Sequence, residues 1–107
     1  MSTFDKREEG FEKKFALDEE QKFKAEVRRN KLLGLWAAEK LGMSGDDANA
    51  YAKEVVSADF EEAGDQDVQN KVVKDLTAKG VAITAAEVRV KMDELMAAAA
   101  AQVKAGT

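Results

Sequence analysis

Three glycine-marked breaks divide this chain into helical periods, and no proline interrupts any of them. Gly42, Gly64 and Gly80 each end a helical apolar pattern and lie shortly before a candidate capping residue, Ser44, Asp65 or Thr84, which is the pattern of a helix stop followed by a new start. Alanine, glutamate, lysine and leucine dominate the composition, so propensity and punctuation agree on helix. Short connections make sequential helices antiparallel neighbours, and the expected fold is all-α: a four-helix bundle over residues 17–107 with a long first helix. A chain of 107 residues has room for one such core.

The long helix is expected over residues 17–41. Asp18-Glu-Glu-Gln21 offers a capping box, followed by i,i+4 ion pairs Asp18–Lys22 and Glu20–Lys24. From Leu32 to Leu41 the run is apolar around nearly its whole circumference, which predicts a central rod buried on all sides. The front, Gln21 to Asn30, is polar enough to project beyond the body. Phe23 and Val27 are assigned to the core. Ser44 is expected to cap the second helix, whose inner face is Ala48, Tyr51, Ala52, Val55, Val56, Phe60 and Ala63. Asp65 can cap the third, with Val68, Val72, Val73 and Leu76 inward. Gly80 with Val81 predicts a Schellman stop. Thr84 to Glu87 reads as a second capping box, with Ile83 and Val88 as its hydrophobic staple. The last helix presents Val88, Met92, Leu95, Met96, Ala99 and Val103, and its alanine-rich tail from residue 97 is expected to fray.

The first sixteen residues stand apart. They hold three of the five phenylalanines, Phe4, Phe11 and Phe15, among closely spaced charges around Gly10. On a helix the three share a stripe, since steps of seven and four residues rotate by about −20° and +40°. Burying them yields roughly 6 kcal/mol, against about 1 kcal/mol or more for ordering each of some fifteen residues. Residues 1–16 are therefore expected to be disordered or marginally helical when free. Two uses of the stripe stay open: packing back on the bundle, or folding into a groove on another protein.

Composition narrows the chemistry. With no histidine and no cysteine, the usual nucleophile–base pairs and most zinc sites are excluded, and no oxidising compartment is required. No P-loop occurs. Read as a calcium loop from Asp65, the chain places Asn70 where glycine is needed and Leu76 where glutamate is needed. The expectation is a protein that is not an enzyme and takes neither metal nor cofactor. A net charge of −4 repels phosphate backbones, so general nucleic-acid binding is disfavoured. That charge is uneven, with nine Lys/Arg against eight Asp/Glu in residues 1–31 and eight against thirteen thereafter. No apolar run is long enough to span a bilayer and no signal peptide opens the chain, which predicts a cytoplasmic location.

The run Arg28-Arg-Asn-Lys-Leu-Leu-Gly-Leu-Trp-Ala-Ala-Glu-Lys-Leu-Gly42 resembles the signature of the alphaproteobacterial zeta subunit family, inhibitors of the F-type ATP synthase. Phe4-Asp5, Gly10-Phe-Glu12, Phe15-Ala16, Ala50-Tyr-Ala-Lys-Glu-Val55 and Ala58-Asp-Phe-Glu-Glu-Ala-Gly-Asp65 are similar to the same family. The resemblance implies a four-helix body carrying a mobile inhibitory segment, here about Ser2 to Ala16. It implies that the segment folds into an alpha/beta catalytic interface of the soluble head, near gamma, and blocks rotation in the hydrolytic direction. Such a protein would sit at the inner membrane only through that enzyme. The stripe nominates Phe4, Phe11 and Phe15 as anchors, with Lys22, Arg28 and Arg29 as an extension of the contact. The alternative is a small helical ligand- or nucleic-acid-binding protein without catalytic activity.

Overall fold

In a computed structural model, the structure describes residues 17–59 and 65–106. Those residues form four helices: α1 Glu19–Lys40, α2 Gly45–Ala58, α3 Gln66–Ala78 and α4 Ala85–Lys104. The helix α1 touches each of the others, most extensively α2 and α4, whereas α2 and α4 do not meet. It is the rod on which the bundle is built. Phe60, Ala63 and Gly64, expected to finish the second helix, lie outside the described residues.

Local signals decide most helix ends. Asp18 accepts from the Gln21 amide at 2.7 Å while Gln21 Oε1 accepts from the Asp18 amide at 3.2 Å, completing the capping box. The Asp18 carboxylate is thereby turned to the backbone, and of the two expected pairs it is Lys24–Glu20 that forms, at 3.3 Å. Gly42 leaves α1 at φ +81°. At the end of α3, Val81 N–H donates to Leu76 at 2.9 Å and Gly80 N–H to Thr77 at 3.0 Å, the bond pattern of a Schellman stop. Thr84 Oγ1 accepts from the Glu87 amide at 3.1 Å. The Glu87 carboxylate returns to the Thr84 hydroxyl rather than to its amide, so this box closes through side chains.

Two expected caps are corrected. Ser44 stands at the N-cap of α2, but its side chain takes no bond from the helix. Gly45 follows it at φ +56°, a left-handed entry that differs from the geometry of a serine cap. Asp65 precedes α3 without capping it, because its carboxylate is drawn to two arginines instead.

The core is Leu33, Ala37, Ala38, Leu41, Tyr51, Val55, Val68, Val72, Leu76, Val88 and Met92. Three expectations about burial change. The second half of α1 is buried along Leu33, Gly34, Ala37 and Ala38, while Leu32, Leu35 and Trp36 are only half-buried. The front of α1 does not project as a whole: Ala25, Arg29 and Asn30 are buried, and Arg28 donates to Gln102 of α4 at 3.2 Å. The alanine tail continues as helix to Lys104, with Ala99 and Ala100 buried, since small side chains let α4 lie close to α1.

Arg29 is the chief surprise of the interior. It is 3% exposed and grips Asp65 with both terminal nitrogens, at 3.0 and 3.1 Å, while its Nε donates to Asn30. Arg89 of α4 reaches the same carboxylate at 3.3 Å and Gln69 Oε1 at 2.6 Å, and Gln69 donates to the Ala85 carbonyl. One carboxylate thus joins α1 to the start of α3 and to α4. The hydrogen bond from Arg29 holds its pKa below the ordinary aspartate value against the opposing effect of burial, with the charges of Arg29 and Arg89 adding to the lowering. A depressed folded-state pKa contributes stability that is present above the unfolded value and lost as pH falls through the folded one. Asp65→Asn should therefore cost about 1–3 kcal/mol near pH 7, a figure reduced for the partial exposure of Asp65. That gap should shrink below pH 3.8, the reference aspartate value. Urea melts at about pH 7 and about pH 2.5 measure it, and an equal gap at both would refute the assignment.

Candidate functional site

Phe4, Phe11 and Phe15, the nominated anchors, lie outside the described residues. What the structure defines is the start of the helix that follows them in the sequence. Asp18 is in extended conformation at φ −73°, ψ 175° and closes its own capping box, so α1 begins at Glu19. The first turns of α1 carry Lys22 and Lys24 exposed, with Lys31 exposed two turns later. Of the three cations nominated as an extended contact, Lys22 is on the surface and Arg28 is half-buried beside Gln102. Arg29, the third, points inward to Asp65, where its charge is paired inside the body.

Phe23 also moves. Expected in the core, it is 56% exposed, and Val27 is half-buried. Together with Leu32, Leu35 and Val103 they line a groove of about 680 Å³ between α1 and the end of α4. Its rim bears Lys24, Arg28 and Lys31. Sequence reasoning missed this groove, although the spacing of residues 23, 27 and 35 was a visible second stripe on α1.

Elsewhere, the charged groups of a second cleft pair with one another. A polar cleft of about 600 Å³ between α2 and α3 holds Lys71, which pairs with Asp75 at 3.1 Å and Glu54 at 3.7 Å. Tyr51 donates its hydroxyl to Asp75 at 2.8 Å. Burial, then the Asp75 carboxylate, pushes the phenol pKa upward, which keeps it a neutral donor. Trp36 packs against the core with Lys40 and Lys91 over its ring at 5.1 and 5.8 Å, as a structural residue at the edge of the bundle. Among the described residues, no group of acidic side chains is arranged to hold a metal ion, and no helix is long and apolar enough to cross a membrane.

Fold and surface together define a small helical protein whose distinctive feature is an apolar, basic-rimmed face beside its N-terminal root. The comparisons with known proteins are specific. A family model described as ATPase inhibitor subunit zeta matches residues 1–102, and the chain belongs to that family. It is similar to a solved solution NMR structure at 61% identity and a TM-score of 0.69, over 79% of this chain and 96% of that one. No curated protein sequence matches.

Proposed function

We propose that this protein is a regulatory inhibitor of the F-type ATP synthase, acting without catalysis of its own. Residues 2–16 fold into an alpha/beta catalytic interface of the soluble head near gamma and block rotation in the ATP-hydrolysing direction. The observation that carries this reading is the family match, which runs through the opening segment as well as the body. The capped start of α1 supports it, because a helix that begins independently at Glu19 leaves the preceding residues available to a partner. Lys22 and Arg28 extend the contact. The protein is cytoplasmic on this reading and reaches the inner membrane only as a passenger of the enzyme.

Inhibition of this kind is wedging. An induced helix fills a crevice that must change shape for the shaft to turn, and aromatic anchors are the side chains best suited to hold it there. Phe11→Ala or Phe15→Ala should each weaken inhibition by about 2–4 kcal/mol, read as the concentration giving half-maximal loss of ATP hydrolysis by the soluble head. Wild-type potency in both variants would remove the stripe from the mechanism.

A further inference from the structure

We infer that the groove between the front of α1 and the end of α4 is a resting site for residues 4–15 of the same chain. The segment's inhibitory role rests on the function proposed above, whereas the docking itself does not.

The argument begins at the root. The capping box stops α1 at Asp18 and sends the chain off the helix axis, and the groove is lined from Gln21 onward, within the next turn. Residues 16–18 are enough for the loop of a helical hairpin, which takes about two to five residues. Lengths agree as well. Along α1 the groove runs from Gln21 to Leu35, about 21 Å at 1.5 Å per residue, and a helix from Phe4 to Phe15 spans about 16 Å.

Charge then sets a register. The groove's rim bears Lys24, Arg28 and Lys31, spaced i, i+4, i+7 on one face of α1. The segment bears Asp5, Glu8 and Glu12, spaced i, i+3, i+7, along one edge of its phenylalanine stripe. Laid antiparallel, Asp5 meets Lys31, Glu8 meets Arg28 and Glu12 meets Lys24. Each pair is symmetric about residue 18, where the chain must turn. The same alignment sets Phe4 opposite Leu32 and brings the stripe over a floor that includes Val27, Leu35 and Val103. A short tether holds the segment at an effective concentration of about millimolar, so weak contacts suffice for docking that still yields to a stronger partner.

The experiment uses the full chain, which contains no cysteine and so accepts a single nitroxide at Glu9→Cys. Paramagnetic broadening is expected at Val27, Leu35 and Val103 and not at Ser57 or Lys74 on the far side. The paired reversals Glu8→Lys and Glu12→Lys should abolish it. Groove signals no broader than far-side ones would overturn the proposal. So would broadening seen only when labelled chains are mixed with unlabelled isotope-enriched ones, which would assign the groove to a second copy. Phe23→Ser, at an exposed position, should reduce broadening and hasten the onset of ATPase inhibition several-fold. Slower onset would assign the groove to the enzyme contact instead. Because the broadening is read without the enzyme, failure of docking and failure of the inhibitory reading are distinguishable.

Discussion

Deleting residues 2–16 should abolish inhibition of ATP hydrolysis while leaving a folded bundle. Loss of even two anchoring aromatics, at about 2 kcal/mol each, lowers affinity roughly a thousandfold, and loss of the induced helix removes more. The body is expected to keep its fold without the segment. Its long helix is capped by Asp18 and Gln21, and its core is drawn from residues 33 to 92. Circular dichroism should show the α1–α4 helicity intact, and melting should stay within about 1 kcal/mol of the full chain. The three measurements separate the possibilities. Inhibition lost with melting retained assigns the activity to the segment. Inhibition lost together with the fold would make the segment part of the body, and inhibition retained by the shortened chain would end the proposed mechanism.

Most local features were legible in the sequence because their physics is local, the expected Ser44 cap being an exception. The Asp18–Gln21 box, the left-handed Gly42, the Gly80–Val81 stop and the Thr84 cap each depend on a few adjacent residues, and each appears in the structure. Features decided by a neighbouring helix were not legible. Phe23 and Leu33 are both large apolar residues at helical spacing on α1, yet one is 56% exposed and the other fully buried. Spacing shows that a helix has apolar stripes; it does not say which stripe will find a partner. Arg29 illustrates the converse. A guanidinium reads as surface until a distant carboxylate, Asp65, neutralises it in the interior. The candidate site was legible as a segment and a stripe, but the groove depends on Val103 lying beside Val27, a juxtaposition that only the folded chain makes.

Gly34 carries the second large effect, and here it is the absence of a side chain that matters. A Cβ at that position would lie 2.6 Å from the Ala52 Cα, 3.1 Å from its Cβ and 3.3 Å from Val55 Cγ2. The first of these is backbone, which cannot rotate aside, so any side chain must push α1 and α2 apart. Close-packed interiors transmit such a shift along the whole contact, and this is the most extensive contact α1 makes with any helix. Alanine would gain about 1 kcal/mol of helix propensity over glycine, which offsets part of the overpacking cost of about 1–3 kcal/mol or more. Valine has more bulk and a weaker propensity gain. Gly34→Val should therefore destabilise the bundle by about 3 kcal/mol, lowering the melting temperature by about 12–24 °C, with Gly34→Ala between it and wild type. Melting of the valine variant within a few degrees of wild type would mean that the helices accommodate the side chain and that their close approach is not required. Below its melting point the variant should still inhibit, since residues 2–16 and the root at Asp18 are untouched. Deletion of the segment and the Gly34 substitution are thus converse tests: one removes the activity and spares the fold, the other weakens the fold and spares the activity.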